Sequence, residues 1–339
     1  LDAGVPRYED GFSSAGLGAD PSPLVGALRA HGPFDLVLGP AGYGLPLVPA
    51  AQVGERELAL MVLKRADEPE AGAGIAGMRS IVRALLAAGI PLVFGPGAIH
   101  LPTVPVHRKW NRIDLGTADK VASAALGIVD QAERLGIAYA ETRFVLLELG
   151  GGFSAALAVD GGRIVDGLGG SAGPIGARAT GALDAEAAYL IGGALSKRTV
   201  FSGGALDPDG AADLSSADAL ERLRADPAAR DGWLALEEGA AKAVLALTAS
   251  VPAPREVLVS GRLASAPGLL DALGERLRAV APVREALAVK SAARGAALLA
   301  DGLAGGAYAP LVDGMRLRDA RGGVLDHLRM FGADRIALG

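Results

Sequence analysis

Between Phe144 and Gly170, three apolar runs are separated only by short glycine clusters. This punctuation constrains the fold more than any other feature of the 339-residue chain. Phe144–Leu149 ends at Gly150-Gly-Gly152, and Ser154–Val159 ends at Asp160-Gly-Gly162. A third run, Arg163–Val165, leads on to Gly169-Gly170. Each run has the length of a strand, and links this short cannot hold a parallel crossover. Asp-Gly-Gly is a good hairpin turn because glycine tolerates positive φ. The segment therefore predicts a meander.

Further buried strands are expected at Phe34–Leu38, Pro91–Phe94 and Glu256–Val259, each bounded by Gly, Pro or charge. Alanine-rich helices are expected between them, at about Ile75–Ala88, Ala118–Leu135, Asp184–Ile191, Trp233–Ala249, Gly268–Val280 and Ala292–Leu303. In the second, Val121, Ala125, Leu126, Val129 and Ala132 fall on one face. Strands alternating with helices imply an α/β fold with a largely parallel sheet. The second half reads βββ-α…β-α-β-α. The first half shows only the later part of that plan, with a strand remnant expected at residues 1–6. Residue 1 is Leu. By this reading roughly 25–35 residues are missing at the front, since parallel strands need crossovers. An internal echo supports the two-copy plan. Leu36-Val-Leu-Gly-Pro-Ala-Gly-Tyr-Gly-Leu-Pro46 resembles Leu92-Val-Phe-Gly-Pro-Gly-Ala-Ile-His-Leu-Pro102. Either these are two similar strand-ending turns, or both lie at carboxyl ends of parallel strands facing one crevice.

Composition removes several function classes. The chain has no cysteine, which excludes disulfides, thiolate metal sites and a cysteine nucleophile. Its four histidines are too scattered for a zinc motif. A net charge of −5 leaves no basic surplus to release counterions, so no nucleic-acid partner is expected. No apolar run is long enough to span a membrane, and the N-terminal residues of this sequence do not read as a basic-then-apolar signal peptide. A cytoplasmic protein is expected. Glycine- and alanine-rich helices permit close packing between subunits, which leaves a homodimer open.

Several residues have both a chemical and a structural reading. Gly150, Gly151 and Gly152 would let backbone N–H groups approach phosphate oxygens, or would simply form a tight hairpin. Ser154 adds a hydroxyl or is a strand residue. Glu148 ends an apolar strand, where a metal or a bound water would meet its carboxylate, or it is an exposed strand end or one half of a local pair with Arg. Asp119 sits in a first helical turn that Thr117 would cap, so it favours the helix dipole or serves phosphoryl transfer as base or positioning acid. Asp114 competes for that role, or pairs with Arg112. The segment from His100 to Arg112 gathers His100, His107, Arg108, Lys109, Trp110 and Arg112. Its prolines make it extended. It is a surface loop, or a basic clamp in which Arg112 and Arg108 grip an anionic acceptor and His107 or His100 stabilises phosphoryl charge. Gly261 with Arg262 would admit a base or ribose, and Tyr43 would wall a substrate pocket.

Some of these residues carry a resemblance. Glu148-Leu-Gly-Gly-Gly-Phe-Ser154 resembles the second phosphate motif of the superfamily of acetate kinases, sugar kinases, heat-shock chaperones and actin. Val257-Leu-Val-Ser-Gly-Arg-Leu263 resembles its adenosine motif, and Thr117–Leu126 the start of its catalytic-Asp helix. Within it, Gly39–Pro46, the segment His100–Lys120 and Gly169–Pro174 resemble a family labelled predicted butyrate kinase. The first phosphate motif, an Asp-rich hairpin, is absent, and Glu148 stands where many members have Asp. The resemblance implies a two-lobed actin-like (ribonuclease H-like) α/β fold whose first lobe is incomplete at its N-terminus. It implies an N-terminal lobe over 1–142, a C-terminal lobe over 143–305 and a packed tail over 306–339. It further implies ATP and Mg2+, with nucleotide on Gly150–Gly152, Ser154, Gly261 and Arg262 and metal on Glu148. Asp119, Asp114, Arg112 and His107 would then be catalytic, and Tyr43, His100 and Arg108 would bind a small-molecule acceptor. The activity implied is a kinase acting on a short-chain carboxylate, with an acyl phosphate as product. A nucleotide sensor without catalysis, or a kinase of a larger carboxylate or of a hydroxyl, would share the fold. A Rossmann dehydrogenase is disfavoured, because a strand rather than a helix follows Gly152.

Overall fold

The computed structural model describes residues 1, 10–12, 14–67, 75–210, 212–285 and 291–339. The strand remnant expected at residues 1–6 falls outside these, apart from residue 1. Two sheets organise the described residues. The smaller comprises β1 (Val37–Gly39), β2 (Val48–Pro49) and β3 (Leu92–Phe94), in the order β1-β3-β2. β1 and β3 run parallel, so the two similar Gly-Pro turns leave the carboxyl ends of adjacent strands. Helices α1 (Glu55–Val62) and α2 (Ile75–Ala87) cover it, with Met61, Val62, Val82, Leu85 and Phe94 in a shared core.

The larger sheet contains β4 (Arg143–Leu149), β5 (Ser154–Asp160), β6 (Arg163–Leu168), β7 (Glu256–Ser260) and β8 (Val283–Glu285), in the order β6-β5-β4-β7-β8. β4, β5 and β6 form the expected meander, turning at Gly161 and Gly162 with φ of 61° and 70°. β4, β7 and β8 are parallel. The sheet is thus mixed rather than largely parallel, because the glycine links are too short for crossovers. Strand β8 is the further strand that the βββ-α…β-α-β-α plan required.

Both faces of this sheet are buried, which is why β4 reads as a continuous apolar run. Alternation sends Phe144 and Leu146 to one core, and Val145, Leu147 and Leu149 to the other. The second core lies under α4 (Arg230–Leu247) and α5 (Leu269–Leu277), with Trp233, Leu236, Val244, Leu269 and Leu273 inside. The first core holds α3 (Ala118–Leu135), α6 (Ser291–Leu303) and tail residues Leu311, Met315 and Leu317. Helix α3 has the predicted bounds and stops at Gly136, whose φ of 64° suits a left-handed C-cap. It lies close on the sheet through Gly127, where a Cβ would be 2.9 Å from the Phe144 ring. Helix α6 crosses it through Gly295, where a Cβ would be 1.8 Å from the Ala122 carbonyl oxygen. No helix among the described residues is long and apolar enough to cross a membrane.

The segment from His100 to Arg112 is not extended. It starts at the last residue of a 3-10 turn, Ala98–His100, and contains a short helix, Val106–Lys109. Pro105 precedes that helix at its N-cap position, where a missing N–H costs nothing.

Candidate functional site

Antiparallel pairing puts the carboxyl ends of β4 and β6 and the amino end of β5 at one edge of the large sheet, where β7 also ends. The first turn of α3 arrives at the same edge. Its Lys120 ammonium lies 2.6 Å from Asp119 Oδ2 and 3.3 Å from Glu148 Oε1. The Thr117 hydroxyl donates to Asp119 Oδ1, and the Ser260 hydroxyl donates to Glu148 Oε2 at 3.1 Å. Thr117 holds the N-cap position of α3, yet its hydroxyl serves the Asp119 carboxylate instead of a backbone amide. Glu148 is buried, while half of the Asp119 side chain is open to solvent. Burial opposes the Lys120 charge, but the Asp119 and Glu148 carboxylates outweigh it and raise the lysine above its ordinary value. The surrounding protein also opposes the Asp119 charge, and Lys120 with Thr117 nevertheless holds that carboxyl below the ordinary range.

Two residues after Glu148 comes the Gly150–Gly152 hairpin. A Cβ on Gly152 would meet nothing within 4 Å, and one on Gly151 would meet only the Arg262 side chain, at 3.4 Å. Neither residue has a left-handed φ. Among the described residues, no protein acceptor faces the amides of Gly151 or Gly152. The fold itself does not demand glycine at either position. A bound phosphate would use the open space and the two amides. Gly261 differs, with φ of 89° and a would-be Cβ 2.5 Å from the Leu149 carbonyl oxygen. It brings Arg262 beside Gly151, so both predicted nucleotide loops meet.

The other wall is built on Asp114, which is 4% exposed. Its Oδ1 accepts from the Gly116 amide at 2.9 Å, and its Oδ2 from the Ser171 amide and hydroxyl at 3.1 and 3.2 Å. Burial pushes this carboxyl above its ordinary value, against the pull of those donors. Gly169 lies directly on the carboxylate, where a Cβ would be 1.8 Å from Oδ1. Tyr43 is pushed up to about 12, first by burial and then by the Asp114 charge. Lys197 Nζ stands 3.5 Å from the Tyr43 hydroxyl and 4.9 Å from the ring centroid. The two Gly-Pro loops interlock here, since a Cβ on Gly44 would be 2.0 Å from the Gly97 nitrogen. The Ala118 amide donates to Gly42 O at 3.0 Å, tying this wall to α3.

The structure thus gathers Tyr43, Asp114, Asp119, Glu148, Gly150, Gly151, Gly152, Gly261 and Arg262. It places the remaining candidates elsewhere. Ser154 pairs with Leu149 on β4, and alternation puts its hydroxyl on the opposite sheet face from Glu148, without a hydrogen-bond partner. His100 is 2% exposed in the first core, with Nδ1 3.2 Å from Gly97 O. Arg108 donates to Val165 O at 2.7 Å and lies 3.7 Å from Asp166. Lys109 is buried and donates to Leu101 O. His107 and Arg112 are exposed. The tail runs across this segment. Asn111 N donates to His327 O and Asn111 Oδ1 accepts from Arg329 N, Arg321 N donates to His100 O, and Arg329 stacks on Trp110 at 4.3 Å. Lys120, Thr117, Ser171, Ser260 and Lys197 are the members that sequence reasoning missed. Lys120 had one signal, its place beside Asp119 in a first turn where acids rather than cations favour the helix dipole.

His100 also carries a pH signature. Burial lowers its pKa from 6.5 to about 4. The unfolded chain takes up the proton near pH 6.5 and the folded chain only near pH 4, so acidification between them favours unfolding. Going from about pH 7.5 to about pH 5 is expected to cost about 2 kcal/mol. Urea midpoints at the two pH values measure it. His100→Gln should flatten this part of the dependence, and equal slopes in both proteins would contradict the assignment.

A protein-held divalent ion does not fit these residues. Glu148 is paired with Lys120, and among the described residues no three His, Asp or Glu side chains are disposed so that they could hold one metal ion.

The fold has solved counterparts. The propionate kinase of Francisella tularensis is similar with a TM-score of 0.57 and 15% identity, over 85% of this chain and 85% of that one. The acetate kinase of Entamoeba histolytica is similar with a TM-score of 0.50 and 12% identity, over 81% of this chain and 74% of that one. The chain therefore has the two-lobed, actin-like α/β fold of those kinases. No curated protein sequence matches it. Residues 7–330 match the family described as protein of unknown function DUF1464, and to that family the chain belongs.

Proposed function

We propose that the chain is an ATP-dependent phosphotransferase acting on a small acceptor that arrives already ionised, a short-chain carboxylate in the manner of a butyrate or acetate kinase. One observation carries the choice of acceptor. Both oxygens of Asp119 are already engaged, by Thr117 and by Lys120, and the carboxyl is held ionised below its ordinary range. Such a group is a poor proton acceptor for a hydroxyl substrate. A carboxylate acceptor needs no base; it needs alignment and countercharge. The named activities of the similar kinases, from acetate and propionate, agree with this reading by analogy of fold.

In the step itself the γ-phosphorus bond to the bridging oxygen breaks, and a bond from phosphorus to the acceptor carboxylate oxygen forms. The nucleoside diphosphate leaves with the electron pair, and no proton changes hands. Gly150–Gly152 receive phosphate oxygens, and Gly261 with Arg262 receive the ribose side of the nucleotide. Tyr43 walls the acceptor pocket, and we assign Lys197 as its cation. The lobes are read as 1–142 and 143–305, with 306–339 as tail. The enzyme works in the cytoplasm as a monomer or homodimer, without nucleic-acid or membrane partners.

The second reading rests on Asp114. Burial raises its carboxyl, and it would serve a hydroxyl acceptor once Gly116 or Ser171 releases one of its oxygens. Incubation with Mg-ATP, hydroxylamine and acetate, propionate or butyrate separates the two. We expect a hydroxamate product that depends on the carboxylate. Mg-ATP binding with no hydroxamate from any of the three would sink the carboxylate assignment and leave the hydroxyl acceptor or a nucleotide sensor.

A further inference from the structure

Two carboxylates converge at the root of the Gly150–Gly152 hairpin, a setting that suits a hard divalent ion with about six oxygen ligands. Here the space between them holds the Lys120 ammonium, 2.6 Å from Asp119 and 3.3 Å from Glu148. The outer oxygen of each carboxylate takes a hydroxyl, from Thr117 and from Ser260. All four carboxylate oxygens therefore have donors of the protein's own. A metal would have to displace a lysine whose side chain is only 15% exposed and which both carboxylates hold in place. Asp114 is a further charge within electrostatic reach of Lys120, and is itself bonded to Gly116 and Ser171.

We propose that Lys120 is the resident cation of the cleft. It stands where a protein-held divalent ion would otherwise sit, it meets the phosphoryl group during transfer, and divalent metal enters only on the nucleotide. The phosphoryl role rests on the phosphotransferase reading given above; the replacement of a metal does not. Lys120 stays protonated throughout. Its fixed charge offsets the charge that spreads over the equatorial phosphoryl oxygens, at no cost in reorganisation. Asp119 and Glu148 act through it as positioning residues, which explains why two acids stand so close to an incoming polyanion. With Lys120 between them the three groups sum to one negative charge instead of two.

The test uses the full chain. Mn2+ is titrated into nucleotide-free protein and followed by the electron paramagnetic resonance of the free ion. The wild type is expected to leave that signal unchanged. Lys120→Met should create one site per chain, and adding Glu148→Gln should remove it. In the hydroxamate assay Lys120→Met is expected to lower kcat by about 1000-fold, and Lys120→Arg to restore part of it. Circular dichroism confirms that the variants are folded. A wild-type Mn2+ site abolished by Glu148→Gln overturns the proposal without any lysine variant. So does a folded Lys120→Met enzyme that keeps more than about half the wild-type kcat, a loss far below the range for removing a fixed cation. A wild type that neither binds Mg-ATP nor forms hydroxamate overturns the phosphotransferase reading instead, and the phosphoryl role with it. The Mn2+ titration then still decides whether Lys120 replaces a metal.

Discussion

Gly169→Ala is expected to lower kcat/KM for acyl-phosphate formation by about 100-fold, in a protein that still folds. The new methyl would lie 1.8 Å from Asp114 Oδ1 and 2.1 Å from its Cγ. Rotation of the Asp114 side chain gives no relief, since Gly116 and Ser171 hold both oxygens. Either the 169–171 loop or the Asp114 backbone must move. Asp114 is followed within three residues by Thr117, which bonds Asp119, so the displacement reaches the cleft floor. A shift of about 1 Å at a reacting group is enough for a loss of this size. The check is kcat/KM in the hydroxamate assay beside a melting curve. Asp114→Gly gives a second handle. If the clash is the cause, Gly169→Ala should cost little more once the carboxylate is gone, because the two effects are not additive. Wild-type activity in the single variant would show that the loop yields freely and does not shape the site.

Gly295→Ala is expected to destabilise the fold by about 3 kcal/mol. In most helix contacts an added methyl meets side chains, which can shift. At Gly295 it would meet backbone, 1.8 Å from Ala122 O and 2.4 Å from Ala122 C. Helices α3 and α6 would have to separate by more than 1 Å, which the contact at 1.8 Å sets as a minimum. That separation opens the first core around Leu126, Val129, Leu298 and Leu299, where lost contacts are costly. Urea unfolding of the single variant gives the magnitude. Gly274→Ala is a fitting control, because nothing lies within 4 Å of that position. Equal midpoints for the two variants would mean that the crossing adjusts without loss.

Legibility in the sequence followed the range of the interactions. Helix α3 was readable to the residue, since its apolar stripe, its first-turn acid and Gly136 are all local. The meander was readable because glycine turns are local too. Strand β2 and helix α1 were not. β2 is two residues long and exists only through pairing with β3, and α1 is a single short amphipathic stretch. The site divided in the same way. The Gly150–Gly152 hairpin announced itself in one short stretch. Lys120 joins Glu148 from a different element, and Ser171 meets Asp114 across 57 positions. Neither pairing leaves a mark in local spacing. The His100–Arg112 segment misled for the same reason. Its concentration of rare cationic residues is real, but Val165 and Asp166 on β6 and residues 321–329 of the tail take up their contacts from far along the chain.

The crossing at Gly295 has a mechanical consequence. Side chains in contact behave as springs, because they compress and exchange rotamers. Two backbones in contact do neither, so any tilt of α3 against α6 would have to turn about this crossing. Asp119 lies about 4.5 Å along α3 from Ala122, and Leu135 lies about 20 Å away on the other side. A swing of about 5° therefore carries Leu135 by nearly 2 Å but Asp119 by only about 0.4 Å. The cleft sits on the short arm of the lever, so a tilt about this crossing would leave the carboxylate and ammonium nearly in place and would strain the bonds from Gln131 and Arg134 to Glu256 at the far end.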